Sequence, residues 1–172
     1  MTFPERIAAT FLKRERPVTV LAPNIQIESG DGSAEAFLGL DWQEISWELW
    51  EKNSDAFYQF SPAAFIYYLP SILSLSSQDL ARWFWPADCL LELLNHSPMV
   101  ENWSSFTTAR LIGLSSAEYD LMKEWVLLLA DSKAYGKDKA LEFAFDTLEI
   151  LQAETAKVRE ITTSSQKVPG SN

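Results

Sequence analysis

The stretch formed by residues 61–70 (SPAAFIYYLP) constrains the fold of this chain more than any other. Serine followed by proline is typical of a helix start, because Ser61 can cap the first turn and Pro62 lacks only an N–H that this turn leaves unpaired. Residues 65–69 are all apolar or aromatic, a composition typical of a buried helix. We therefore predict a central packing helix that kinks or ends at Pro70, whose ring removes a backbone hydrogen bond.

Composition excludes several classes of protein. The 172 residues are enough for about one domain with a sizeable core. Hydrophobic residues make up 47% of the chain and seven residues are tryptophan, which excludes a disordered protein. No apolar run reaches the roughly 18 residues that span a bilayer, and the N-terminus lacks the pattern of a secretory signal. Because Cys89 is the only cysteine and forms no internal disulfide, we expect a cytoplasmic protein.

Charge is unevenly distributed along the chain. Residues 28–104 carry two basic residues against twelve acidic ones, a net charge of −10, which equals that of the whole chain. Residues 1–27 carry +2 and residues 105–172 carry −2. An acidic surface repels nucleic acid and anionic lipid and attracts a basic protein surface. We therefore expect a basic protein partner, with neither nucleic acid nor a membrane; the alternative is an acidic surface that only maintains solubility.

Helix signals recur along the chain and predict a mainly α fold. Ser115 and Glu118 form a capping box before a helix that reaches about Asp131, and the short connection after it predicts antiparallel packing against the last helix. We predict a single-domain irregular bundle of about six helices over residues 1–161 and a disordered polar tail over residues 162–172. The predicted helices cover residues 4–16, 41–52, 62–70, 76–85, 87–95, 115–131 and 138–161. Residues 106–113 are ambiguous.

Residues 17–27 are the one part of the chain with a strand-like pattern. Residues 17–21 and 24–27 are rich in β-branched side chains that alternate with others. They predict either a short β-hairpin or extended chain, because two short strands are marginal without further packing.

The predicted helix at residues 41–52 carries the candidate binding surface. At 100° per residue, Trp42, Ile45, Leu49 and Trp50 share one face, and the glutamates share the other together with Trp47. A tryptophan among carboxylates is typical of an interface anchor, since it buries a large area and stacks on arginine or lysine. The alternative is that another segment covers Trp47. The predicted partner-binding residues are Glu44, Trp47, Glu48, Glu51 and Asp55.

Few residues could carry chemistry. Cys89 and His96, the only thiol and the only imidazole, are predicted to lie on one helix, about 10 Å apart, which is too far for a catalytic pair. One cysteine and one histidine cannot form a zinc site, residues 31–33 are too short for a calcium loop, and no glycine-rich loop follows a strand. We predict no catalytic residue, cofactor or metal, and a protein that is not an enzyme.

Several of these residues also resemble a known family. Residues 61–70, with Asp41-Trp42, Phe106 and Leu114-Ser115 before a long helix, resemble an uncharacterised family of small bacterial proteins that share an Ala-Phe-x-Tyr-Tyr-Leu-Pro core. The resemblance covers about residues 35–130 and implies an α-rich fold without supplying a catalytic residue. By composition, the chain is also similar to small acidic immunity proteins that neutralise bacterial toxins.

Three functional hypotheses follow from the sequence. The first is a non-enzymatic, immunity-type inhibitor that occludes a basic partner, such as a toxin, with its acidic, Trp-containing surface. The second is a structural or adaptor protein that forms homo-oligomers through its many aromatic residues. The third is a carboxylate-based enzyme that also uses Tyr67 and Tyr68, which requires a cleft where these groups converge.

Overall fold

The computed structural model describes residues 1–23, 32–96, 98–136 and 139–165, with side chains up to residue 158. The prediction of a mainly α fold is confirmed, and these ranges contain eight α-helices rather than about six. The α-helices are α1 (Phe3–Phe11), α2 (Trp47–Lys52), α3 (Ala56–Gln59), α4 (Pro62–Gln78), α5 (Trp85–Leu94), α6 (Ser105–Leu111), α7 (Ser116–Ala130) and α8 (Ala140–Ser165). Short 3₁₀ helices cover Ala34–Phe37, Trp42–Glu44 and Val100–Asn102.

Helix α4 is the central element, as the sequence predicts. The Ser61 hydroxyl accepts a hydrogen bond from the Ala64 N–H at 3.2 Å, and Pro62 occupies the first turn. Twelve of the 17 residues of α4 are buried, and the helix contacts α1, α5, α6 and α7. The prediction that the helix kinks or stops at Pro70 is wrong in one respect, because α4 continues to Gln78. Packing on all sides of α4 outweighs the one backbone hydrogen bond that the proline removes.

The segment after Pro70 differs from the sequence prediction. Ser76 lies in the last turns of α4, where its hydroxyl donates to the Ile72 carbonyl, and it does not start a new helix. The next helix, α5, begins at Trp85, so Pro86 lies in a first turn instead of ending a helix. The fixed φ of proline suits both the first turn and the residue beyond a helix, so the residue alone does not decide between them.

The N-terminal part of the chain leads to the start of α4. Helix α1 has a capping box between Thr2 and Glu5 and ends at Phe11, five residues before the predicted end. Leu21 then forms an isolated antiparallel bridge with Phe60, with the Ser61 N–H donating to the Val20 carbonyl at 2.7 Å. Residues 20–22 therefore pair with residues 59–61, directly before α4. The predicted partner strand at residues 24–27 lies outside the described residues.

The predicted helix at residues 41–52 is two separate helices. Asp41 caps the 3₁₀ helix Trp42–Glu44, and the Asp41 N–H donates to the Glu44 carboxylate at 3.2 Å. Ile45 is extended and buried, and the Ser46 hydroxyl then caps α2 by accepting from the Leu49 N–H. The second cap competes with a continuous helix, because serine at this position accepts from the backbone two or three residues ahead.

Helices α7 and α8 pack antiparallel, as predicted. The capping box of Ser115 and Glu118 is present. Tyr119, early in α7, shares a hydrogen bond with Thr155, late in α8. Helix α8 runs to Ser165, four residues beyond its predicted end and into the segment predicted to be disordered; residues 166–172 lie outside the described part of the chain. The ambiguous residues 106–113 belong mainly to α6.

The core is aromatic, and hydroxyl groups pair with its polar ring atoms. The Trp50 indole N–H donates to the Ser71 hydroxyl at 3.0 Å, and the Trp125 indole N–H donates to the Ser76 hydroxyl at 2.9 Å. Each pair lets a tryptophan be fully buried without an unpaired donor. Within the described residues, every helix is too short or too polar to cross a bilayer.

Candidate functional site

The predicted partner-binding carboxylates are all exposed and lie on α2 or within three residues of its ends. Glu48 and Glu51 are exposed on α2, Glu44 is exposed on the preceding 3₁₀ helix, and Asp55 is exposed directly before α3. Glu44 is held by its bond to the Asp41 N–H. Glu48 accepts hydrogen bonds from its own backbone N–H and from the Ser46 hydroxyl, which lower the pKa of its carboxyl group. The carboxylate of Glu48 is therefore charged at neutral pH.

Trp47 is half-buried because other segments cover it. Its ring lies 4.0 Å from the ring of Phe84, and the Arg82 guanidinium lies 4.2 Å from its centroid. Arg82 also forms an ion pair with Glu51 at 2.6 Å. The chain thus already supplies the cation that the sequence analysis expected from a partner.

Trp83, next to Arg82 in the chain, is an exposed tryptophan, with 52% of its area accessible. It directly follows Arg82 and precedes the buried Phe84, whose backbone is extended (φ −128°, ψ 109°). Neighbouring side chains in extended chain point to opposite sides, so burying Phe84 turns Trp83 outward. The prediction that Trp83 lies in a helix over residues 76–85 is wrong. Placing Pro86 in the first turn of α5 would have indicated the extended segment before it.

The acidic surface is defined by Glu44, Trp47, Glu48, Glu51, Asp55, Arg82 and Trp83. It combines four carboxylates with the Arg82 guanidinium, and α2 itself carries one cation, the exposed Lys52. The surface therefore keeps negative charge after its internal ion pair is formed. Uncompensated carboxylates together with an exposed indole ring suit contact with a basic protein surface.

A pocket of about 330 Å³ lies between α3, α5 and α6. Cys89 and His96 both line it, but α5 ends at Leu94, so the prediction that one helix holds both is wrong. The two residues have different partners: the Tyr58 hydroxyl donates to the Cys89 sulfur at 3.4 Å, and His96 Nε2 lies 3.1 Å from Thr107 Oγ1. The full lining is Phe57, Tyr58, Cys89, Glu92, Leu93, His96, Ser104, Phe106 and Thr107.

The thiol and the phenol of the pocket are poorly suited to nucleophilic catalysis at neutral pH. Burial raises the pKa of the Cys89 thiol to about 11, so the reactive thiolate is scarce. The hydrogen bond to Cys89, together with burial, raises the pKa of the Tyr58 phenol to about 12. Among the described residues, no group of three or more His, Cys, Asp or Glu side chains is arranged to hold a metal ion.

Arg110 fixes one wall of this pocket from behind. Its side chain is 4% exposed, and its guanidinium lies 3.5 Å from the centroid of the Phe106 ring. It donates to the carbonyls of Tyr58, Phe60 and Phe106. Burial lowers the pKa of Arg110 to about 10, which leaves it charged at neutral pH. Arg110 thus ties α6 to the end of α3.

Comparisons of the chain with protein-family models, with curated proteins and with solved structures found no match. The resemblance based on residues 61–70 therefore stays a prediction from the sequence. The case for a function rests on the acidic surface and the pocket.

Proposed function

We propose that this protein is a non-enzymatic protein-binding protein, most concretely an immunity-type inhibitor that occludes a basic partner. The binding residues are the predicted set, Glu44, Trp47, Glu48, Glu51 and Asp55, joined by Trp83. The observation that carries the proposal is the exposed Trp83 ring directly after Arg82, the residue that pairs with Glu51 on α2. Large exposed aromatic side chains at the centre of a charged surface are typical of interface hot spots.

The two kinds of residue have different roles in this mechanism. Glu48 and Asp55 carry exposed charge and steer a basic partner toward the surface, which raises the association rate. Trp83 loses its solvent on contact and slows dissociation. Inhibition follows from steric occlusion, so no chemical step is required of this chain.

The test begins by identifying partners that depend on this surface. The wild-type protein and two variants, Trp83→Ser and Glu48→Gln/Asp55→Asn, are immobilised and exposed to an extract of the native cell, and bound proteins are identified by mass spectrometry. Matched controls are Phe143→Ser and Glu142→Gln/Asp146→Asn on α8, which change an exposed ring and two exposed carboxylates elsewhere. A basic protein retained by wild type and controls but lost by both surface variants is the expected partner.

The purified partner then gives the kinetic test. We expect the association rate to fall steeply between about 20 and 300 mM NaCl, because screening shortens the range of charge steering. Trp83→Ser should weaken affinity by at least about 10-fold, mainly through faster dissociation. A salt-independent association rate, or equal binding by Trp83→Ser and Phe143→Ser, would refute the proposal. Sedimentation of the protein alone at two concentrations distinguishes the homo-oligomer alternative.

A further inference from the structure

The pocket between α3, α5 and α6 lies close to the acidic surface. Asp55, a member of that surface, directly precedes α3, and Tyr58 of the pocket follows it three residues later. Residues three apart on a helix are neighbours on one face. A partner that covers Asp55 therefore also reaches the mouth of the pocket. At about 330 Å³ the pocket is at the small end of ligand sites, which suits one long side chain.

The walls of the pocket are aromatic and apolar. Tyr58 is 47% exposed, and its ring lies 6.2 Å from that of Phe106 and 5.2 Å from that of Phe57. Leu93 adds an aliphatic contact. Aromatic ring faces attract cations, and apolar walls accept the methylene stem of a long basic side chain. Because Arg110 already occupies one face of Phe106, Tyr58 offers the ring better placed for a second cation.

Two carboxylates lie at the pocket, Glu92 and Asp88, against the single charge of Arg110 behind the Phe106 wall. Glu92 lines the pocket, Asp88 lies one turn earlier on α5, and neither lysine nor arginine is among the lining residues. The hydrogen bond between Tyr58 and Cys89 raises the pKa of Tyr58 and lowers that of Cys89. Burial and the charges of Asp88 and Glu92 raise both pKa values. The same field that disfavours a phenolate or thiolate disfavours an anionic ligand. A neutral ligand would cover Glu92 without replacing its solvation.

We propose that this pocket binds a lysine or arginine side chain of the basic protein partner. The stem of that side chain packs between Phe57, Tyr58 and Leu93, and its cationic head pairs with Glu92 against the Tyr58 ring. This inference rests on the proposed function, because it assigns one contact to the same partner. It adds a recognition site that the acidic surface alone does not contain.

The direct test uses butylguanidinium, which carries the head and stem of an arginine side chain, with neutral butylurea as its isostere. Amide NMR spectra of the whole chain are followed during each titration. We expect saturable shifts around Tyr58 and Glu92 with butylguanidinium, and binding of butylurea at least about 10-fold weaker. Equal binding of both probes, or shifts that do not centre on the pocket, would overturn the inference.

Variants of the pocket sharpen this test. Glu92→Gln should weaken butylguanidinium binding about 3- to 10-fold, and Tyr58→Leu should do the same, because they remove the carboxylate and the ring. The matched controls are Glu142→Gln and Tyr58→Phe, the second of which keeps the ring. An equal loss for Tyr58→Leu and Tyr58→Phe would exclude the role of the ring, and no loss for Glu92→Gln would exclude the role of the charge.

The purified partner separates this inference from the proposed function. If the partner is lost by Trp83→Ser but binds Glu92→Gln and wild type equally, the pocket inference fails and the proposed function stands. If the partner binds Trp83→Ser and Glu48→Gln/Asp55→Asn as tightly as wild type, the proposed function fails, whatever the small probes show. Loss of partner affinity with Glu92→Gln, matched by loss of butylguanidinium binding, supports the pocket contact.

Discussion

Replacing Arg110 with methionine tests whether a buried cation stabilises this fold. The guanidinium lies in the interior, stacks on Phe106 and donates to carbonyl groups at the end of α3. Its Nε has no hydrogen-bond partner among the described residues. Methionine keeps much of the apolar stem and removes the charge and all donors. The substitution therefore sets the lost hydrogen bonds against the relieved cost of burying a charge.

The expected magnitude follows from the individual contacts. The bond to the Phe60 carbonyl is the short one, whereas those to Phe106 and Tyr58 are long, at 3.3 and 3.4 Å. A buried carbonyl left unpaired costs about 1–3 kcal/mol, and a desolvated cation–π contact adds about 2 kcal/mol. Relief of charge burial offsets part of this loss. We expect Arg110→Met to lower the free energy of unfolding by about 2 kcal/mol.

Urea unfolding followed by tryptophan fluorescence measures this change, with Arg82→Met as the matched control. Arg82 is exposed and its ion pair with Glu51 lies at the surface, so its loss should cost no more than about 1 kcal/mol. If Arg110→Met is as stable as wild type, or loses less free energy of unfolding than Arg82→Met, the cost of burying the charge cancels the stabilisation by the carbonyl hydrogen bonds. The reasoning about Arg110 would then be wrong.

Three further predictions concern the core, a turn and the cysteine. Ser76→Ala should lower the free energy of unfolding by about 1–3 kcal/mol, because the Trp125 indole N–H loses its acceptor; unchanged urea midpoints would contradict this. Gly136→Ala should lower the melting temperature, because a Cβ atom there would lie 2.5 Å from the Ser132 carbonyl oxygen; an unchanged melting temperature would exclude the contact. Burial raises the pKa of Cys89 to about 11, so the folded protein should react with iodoacetamide at pH 8 about 100-fold more slowly than the protein unfolded in urea. Equal rates in the two states would show that the Cys89 thiol is not buried.

Local signals at helix starts are the part of the fold that the sequence predicts best. Ser61 with Pro62, and Ser115 with Glu118, each act within one turn, and the structure contains both caps. These signals need no knowledge of distant residues, because side-chain caps satisfy N–H groups two or three positions ahead. The helical class and the antiparallel pair at the C-terminus follow from them.

Helix ends are predicted less well, because distant packing decides them. Pro70 has the same local chemistry wherever it stands, but α4 is buried on every side and continues past it. Serine is a common helix cap, yet the Ser76 hydroxyl accepts a hydrogen bond from the indole N–H of Trp125, 49 residues away. Pro86 is compatible with the end of one helix or the start of the next. In each case the deciding contact comes from another element, which periodicity does not reveal.

The candidate surface shows the same difference between features set locally and features set by distant residues. Its carboxylates are exposed as predicted, because charged side chains stay in solvent without any specific contact. The exposure of each tryptophan instead depends on Phe84 and Arg82, which lie more than 30 residues after Trp47. The break between the two short helices at residues 45–46 also invalidates a single helical wheel over residues 41–52. The sequence therefore predicts the charge of the surface but not its aromatic anchor.

Competition with Arg82 explains why Trp83, and not Trp47, is the expected anchor. An arginine of the partner that stacks on Trp47 must first displace Arg82, which costs the cation–π contact and the ion pair with Glu51. The new contact has the same chemistry as the lost one, so the exchange yields little net free energy. Burying the exposed ring of Trp83 displaces only water, and its full hydrophobic gain contributes to affinity. The contacts of Arg82 with Trp47 and Glu51 also fix the backbone next to Trp83, which directly follows Arg82.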